Sequence, residues 1–204
     1  MPDTVLQPLN ADPAADAAHL ATLHERLLRR GVEQGVVDLT YRVVDTPVGR
    51  LLLAATPAGL VRVAFESEGH DAVLDSLASS VGPRVLHDPD GFAQLAHELG
   101  EYFSGRSRSF SVPVDLRLAR GFRREVLGRL REIPYGSTRS YAAVAASAGH
   151  PRAVRAVGTA CATNPIPIVV PCHRVVRSDG TPGGYLGGPD AKAFLLRLES
   201  ATAA

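Results

Sequence analysis

The sequence predicts an α+β protein: a small N-terminal α/β domain built on an antiparallel sheet, followed by a mostly helical C-terminal domain containing a helix-turn-helix. Three observations predict it. Short β-rich runs are separated by Thr46-Pro47-Val48-Gly49 and Thr56-Pro57-Ala58-Gly59, the turn punctuation of a meander. Apolar residues then recur every three or four positions over 71–81 and 92–103, the period of helices that pack on a sheet. Beyond residue 120 the chain turns to brief helical stretches interrupted by Pro134-Tyr135-Gly136 and Gly149-His150-Pro151. A chain of 204 residues can bury a real core as one large domain or two small ones, and this change of pattern favours two.

Residues 1–35 stand apart as an extension, a Pro- and Asp-rich tail followed by a helix carrying Leu20, Leu23, Leu27 and Leu28. His19 and His24 in that helix have no Cys or carboxylate in a suitable register and receive no role. The N-terminal domain is placed at 36–112, with strands over 39–44, 50–55 and 60–65. Residues 105–117 form a polar connector, and the C-terminal domain covers 113–204. There a helix is expected over 122–133, stopped by Pro134. A second over 141–148 would be capped by Ser137 or Thr138, and a third is placed over 152–162. Helix, Gly-containing turn and helix make the outline of a helix-turn-helix, although that outline alone also fits any helical hairpin.

Composition excludes several classes. No run of about 20 apolar residues could span a bilayer, and the first thirty residues lack a secretory pattern, so a cytoplasmic location without membrane association is expected. The two cysteines, Cys161 and Cys172, cannot form a disulfide framework or a four-cysteine zinc site. The net charge of +1 hides an asymmetry: residues 117–177 hold eleven arginines against Glu125 and Glu132, a surplus of nine, which leaves the remainder with a deficit of eight. One cationic surface beside an acidic remainder suits a partner with a phosphate backbone; a solvated arginine face would look the same. The helix over 152–162 is otherwise small-sided, so it could lie deep in a DNA groove with Arg155 projecting, or pack tightly in a core. Cys161, among small apolar residues, reads as a packed thiol.

The stretch Asn164-Pro-Ile-Pro-Ile-Val-Val-Pro-Cys-His-Arg-Val-Val carries the chemistry. A thiol attacks carbon as the thiolate, which requires a base or a positive field nearby, and His173 directly follows Cys172. Neighbours on an extended strand point to opposite faces, so direct contact between them would require a turn or a bridging water, and the water is the link expected. A Cys-His pair by itself is more often a buried thiol beside a surface imidazole.

The surrounding residues change that balance. Pro171-Cys172-His173-Arg174-Val175, preceded by Asn164-Pro165, resembles the active-site signature of the O6-alkylguanine-DNA alkyltransferases, the methylated-DNA–protein-cysteine methyltransferases. Ile133-Pro-Tyr-Gly-Ser-Thr-Arg-Ser-Tyr141, the arginine-bearing helix, Gly183-Gly-Tyr-Leu-Gly-Gly188 and Leu195-Leu-Arg-Leu-Glu199 follow in that family's order. The resemblance spans roughly residues 36 to 200, is specific in the C-terminal half, and is only an outline in the N-terminal half. It implies direct-reversal repair: irreversible transfer of a methyl or small alkyl group from O6-alkylguanine, or O4-alkylthymine, in duplex DNA to Cys172 after base flipping. Cys172 would be the acceptor, His173 the base acting through water, Glu199 its orienter, Asn164 a brace, and Tyr141 a proton donor to the leaving guanine that also crowds the target phosphate. Arg155 would fill the gap left in the stack, with Arg152 and Ser178 also on DNA. Pro167, Val175, Gly183, Tyr185 and Leu186 would shape the pocket.

The same resemblance implies a monomer with no cofactor and no metal, since the zinc-binding cysteines of some relatives are missing. The thioether at Cys172 is a poor leaving group, so each molecule acts once. Arg123 and Leu127 stand where many relatives carry Gln and Trp, which bears on packing and the domain interface. The alternatives are a lesion sensor, a transcriptional regulator built on the helix-turn-helix, and a cysteine hydrolase using Cys172, His173 and Glu199. The sequence leaves open the alkyl size, guanine against thymine preference, cooperativity on DNA and the purpose of residues 1–35.

Overall fold

A computed structural model describes residues 13–203. The first unit holds one helix, α1 (Pro13–Glu33); the tail expected before it lies outside the described residues. Leu20, Leu23 and Leu27 are exposed on α1. None of the described helices is long and apolar enough to cross a membrane.

Residues 38–204 form the second unit. Its sheet is built from β1 (Leu39–Val44), β2 (Leu51–Thr56) and β3 (Gly59–Phe65), which run antiparallel as the turn residues predict. The helix α2 (His70–Ser80) then carries the chain across to β4 (Val85–His87), which lies parallel to β1 and completes the order β3-β2-β1-β4. The sheet is therefore mixed. A parallel neighbour needs such a crossover, and three residues are too few to show an alternating pattern in sequence. Next comes α3 (Ala93–Phe103).

Strand β2 explains the placement of the core. Its side chains alternate between faces: Leu52 and Ala54 join Leu39, Val61, Val73 and Leu77 on the face covered by α2. Leu51 and Leu53 join Leu99 and Tyr102 of α3, and the same cluster continues into the apolar residues of the C-terminal half. A strand buried on both faces reads as an unbroken apolar run, as Leu51-Leu-Leu-Ala-Ala55 does. The connector also takes part, because Leu60 donates to the Pro113 carbonyl and its own carbonyl accepts from Asp115.

The C-terminal half contains α4 (Phe122–Leu130), β5 (Arg139–Ser140), α5 (Tyr141–Ser147), α6 (Val154–Ala162), β6 (Val175–Val176) and α7 (Gly188–Ala203). Helix α4 stops before residue 133 because its final carbonyls are taken by tighter i to i+3 bonds from Arg131, Glu132 and Ile133, and a residue preceding proline resists the α conformation. The cap of α5 is Ser140, whose Oγ accepts from the amide of Ala143 at 3.1 Å, and not Ser137 or Thr138. Parallel pairing of β5 with β6 keeps Arg139 and Ser140 extended, which delays the helix start. Helix α6 begins at Val154, since Pro151 and Arg152 belong to the turn closed by Ala153 on the His150 carbonyl.

Helices α4, α5 and α6 pack on one another. Leu127 is fully buried in the shared core. Arg123 donates to the Leu118 carbonyl and to Thr163 Oγ1, so it ties the segment just before α4 to the end of α6.

Gly59 has φ +134°, and a Cβ there would lie 2.5 Å from the Pro113 carbonyl oxygen, whereas Gly49 (φ +96°) faces open space. Gly59→Ala should therefore cost about 2–3 kcal/mol against about 1 kcal/mol for Gly49→Ala. Urea denaturation of both variants checks this; equal losses would mean that backbone conformation alone sets the cost.

Candidate active site

The site is built on the loop from Asn164 to Pro171. Prolines 165, 167 and 171 limit the backbone, and Val170 closes back on the Ile166 carbonyl at 2.8 Å. The loop is tight enough to hold Ile168 at φ +74°, the only positive φ outside glycine among the described residues, a conformation unfavourable for a β-branched side chain. Buried Asn164 holds the loop together: Oδ1 accepts from the Ile166 amide at 3.0 Å, while Nδ2 donates to the Val170 carbonyl at 2.8 Å and to Cys172 Sγ at 3.0 Å.

Cys172, His173 and Arg174 then form one 3₁₀ turn, which corrects the extended geometry expected for this pair. At three residues per turn, successive side chains diverge by about 120° rather than pointing to opposite faces. All three are buried. His173 Nε2 lies 2.9 Å from Oε1 of Glu199 on α7, and no partner reaches Nδ1 among the described residues.

The Glu199 carboxylate collects four further hydrogen bonds. Tyr102 on α3 donates to Oε1 at 2.7 Å, Arg174 donates through Nη2 to Oε1 and through Nε to Oε2, both at 2.9 Å, and the Gly136 amide donates to Oε2 at 3.2 Å. Arg174 is anchored in turn by Nη1 on the Ile133 carbonyl at 2.7 Å, and its guanidinium lies over the Tyr135 ring.

Burial works against ionising this carboxylate, but the hydrogen bonds from His173 and Arg174 outweigh it and hold Glu199 at about 2. An ionised carboxylate only accepts, so Nε2 of His173 carries the proton and Nδ1 presents a lone pair. Burial lowers the pKa of His173, with Glu199 opposing, and keeps the imidazole neutral. Burial also pushes the Cys172 thiol up to about 11, against the hydrogen bond from Asn164 and the charge of Lys192. At neutral pH the resting pair is thus a thiol and a neutral imidazole whose Nδ1 lone pair is free among the described residues.

Around this pair, Tyr185 sets its ring edge-on to His173, with centroids 6.3 Å apart. Gly183 lies so close to Tyr141 that any Cβ would run into its hydroxyl. Burial raises the pKa of Tyr141, with the two thiols adding to the effect. Pro167 and Val175 are buried and Leu186 is half-buried. The Val175 carbonyl accepts from Lys192 Nζ at 2.7 Å. Arg152, Arg155 and Ser178 are exposed and join none of these hydrogen bonds. Cys161 is buried, and burial raises its thiol to about 12.

Sequence reasoning missed Tyr102, Gly136, Arg174 and Lys192. Lys192 left a signal, being the one lysine among 22 basic residues, and Arg174 stood inside the signature string. Tyr102 left none.

The two lowered groups make the fold acid-sensitive in one direction. Glu199 contributes fully above its ordinary value of 4.5 and loses that contribution as pH falls toward about 2. His173 contributes fully above 6.5, and below it the unfolded chain takes a proton that the folded chain refuses. Stability from urea unfolding should decline as pH drops below about 6.5, and His173→Gln should remove the first part of that decline. A parent curve that stays flat down to about pH 5 would contradict a buried neutral imidazole.

Comparison with known proteins agrees across the chain. Residues 39–116 match the family model of the 6-O-methylguanine DNA methyltransferase ribonuclease-like domain, and residues 121–201 match that of its DNA binding domain. The methylated-DNA–protein-cysteine methyltransferase of Methanosarcina barkeri is 41% identical over 162 residues, 78% of this chain and 96% of that one. The protein of the same name from Mycolicibacterium paratuberculosis is 42% identical over 79% of this chain and 92% of its own. Among solved structures, Mycobacterium tuberculosis O6-methylguanine methyltransferase superposes with a TM-score of 0.72 at 37% identity, covering 81% of this chain and 95% of that one. The Mycobacterium tuberculosis protein OGT in complex with DNA gives 0.69 at 38%, covering 80% and 94%. With both halves matched and Cys172, His173 and Glu199 all buried, the chain belongs to the 6-O-methylguanine DNA methyltransferase family.

Proposed function

We propose that this protein repairs DNA by direct reversal, moving a methyl or small alkyl group from O6 of guanine in duplex DNA to Sγ of Cys172, once per molecule. The observation that supports it most is a protonated buried thiol one residue from a neutral imidazole whose Nε2 is held by Glu199 and whose Nδ1 is unpartnered. Nδ1 takes the thiol proton through a water, and Glu199 stabilises the imidazolium that results. Sulfur then attacks the alkyl carbon: the S–C bond forms, the C–O bond breaks, and the electron pair leaves with guanine. Tyr141 supplies the proton that neutralises the departing base. O4-alkylthymine presents the same alkyl–oxygen bond and is a second substrate of this reading.

The target must leave the base stack, because its alkyl group lies inside the duplex while Cys172 is 2% exposed. In this reading α5 and α6 are the helix-turn-helix that docks on DNA, Arg155 fills the place of the extruded base, and Arg152 and Ser178 contact the strand. Pro167, Val175, Gly183, Tyr185 and Leu186 shape the pocket. Residues 36–112 form the N-terminal domain, 113–204 the DNA-binding and transfer domain, and the protein works as a monomer in the cytoplasm.

Reduced protein incubated with a duplex oligonucleotide bearing O6-methylguanine should gain about one methylene mass on the Cys172 peptide, and Cys172→Ala should gain none. Repaired DNA beside unmodified protein would replace this reading with hydrolysis; unrepaired DNA bound to unmodified protein would replace it with lesion sensing. Arg155→Ala should slow transfer from duplex by on the order of tenfold more than transfer from a free O6-alkylguanine base, because only the duplex needs the stack refilled. Equal slowing on both substrates would remove that role from Arg155.

A further inference from the structure

We propose that Tyr102 is a positioning residue for the transfer reaction: from α3, its hydroxyl fixes the Glu199 carboxylate that orients His173. The inference rests on the assignment of His173 as the base. Residues 39–116 contribute no other hydrogen bond to Glu199 among the described residues; elsewhere that half meets the site through the Val63 amide on the Pro165 carbonyl and the Phe65 ring against Tyr185.

Tyr102 is fully buried, and its ring is held by Phe103, Phe110 and Tyr135 at centroid distances of 5.4, 5.2 and 5.9 Å. The hydroxyl therefore has a fixed position. It donates to Glu199 Oε1 at 2.7 Å and lies 3.5 Å from His173 Nε2. Oε1 divides its charge among three donors, Tyr102, His173 and Arg174. Removing one leaves more of that charge on Nε2–H, which favours imidazolium and spoils the base before substrate arrives. It also frees the carboxylate to rotate. The groups facing His173 are Glu199 and Lys192 from α7, Tyr102 from α3, Tyr185 from the segment before α7, and Cys172 and Arg174 from its own turn. Of these, Glu199 favours the charged imidazole while Arg174 and Lys192 oppose it.

Tyr102→Phe keeps the ring and deletes the hydroxyl. Two measurements on the full chain test the inference. In the free protein labelled with ¹⁵N-histidine, the His173 resonance, identified by its loss in His173→Gln, should titrate at higher pH in Tyr102→Phe than in the parent. In single-turnover methyl transfer, the rate at neutral pH should fall by on the order of tenfold, the worth of one hydrogen bond to a charged group, and the acidic limb of the pH–rate profile should move upward. A uniform loss of rate with both profiles unshifted overturns the inference, as does an unchanged rate. If the parent itself takes no methyl group at Cys172, the transfer reading fails, and the His173 titration still decides whether Tyr102 governs the imidazole.

Discussion

The buried carboxylate of Glu199 is the interaction on which the site depends. Removing a charge from water costs several kcal/mol even after relaxation, so a carboxylate this deep is tolerable only when its lone pairs are filled. Five hydrogen bonds fill them, from Tyr102 on α3, the Gly136 turn, and His173 and Arg174 of the 3₁₀ turn. These segments are distant in sequence and meet at two oxygen atoms. The fold has to be complete before the charge is satisfied, and once it is, the imidazole has one tautomer and one orientation. Stability and chemical readiness thus rest on the same group.

In the transfer reading proposed above, that arrangement makes a reactive Cys172 compatible with a thiol pushed up to about 11. A standing thiolate would be exposed to oxidation and stray electrophiles, a serious cost for a sulfur that this reading uses once. Here burial keeps the sulfur protonated, while Asn164 and Lys192 limit how far the shift goes. The neutral imidazole, held by a carboxylate that stays ionised, is available when a substrate enters.

Much of this was legible in the sequence because it is local. The three long strands follow from turn residues and the β-rich runs between them, and Asn164, Cys172 and His173 stand within one short string. What escaped is either very short or non-local. Strand β4 has three residues and gains its identity by pairing with β1. Ser140 caps α5 only because β5 pairs with β6 across 36 residues. Tyr102 sits in a helix whose apolar period predicts burial for any aromatic, and nothing in that period says that its hydroxyl meets a carboxylate 97 residues later. The adjacency of Cys172 and His173 suggested an extended pair; the prolines and Asn164 fold it into a turn instead.

The arginine surplus also reads differently with the fold in place. Arg174 is spent inside, on Glu199 and the Ile133 carbonyl, and Arg123 is committed to Leu118 and Thr163, so the cationic face is smaller than a count of residues implies. Arg155 belongs to the part that remains. On α6, Val157, Ala160 and Cys161 face inward, while Arg155, Thr159 and Ala162 are exposed at the three- and four-residue spacing of one helical face. That face offers a single long side chain among short ones. Such a profile is poor for binding phosphate by charge alone, which needs several cations spread along a backbone. It suits close approach with one projecting group, which is what the base extrusion proposed above would demand: a surface low enough to enter a groove and one side chain long enough to occupy the space a base has left.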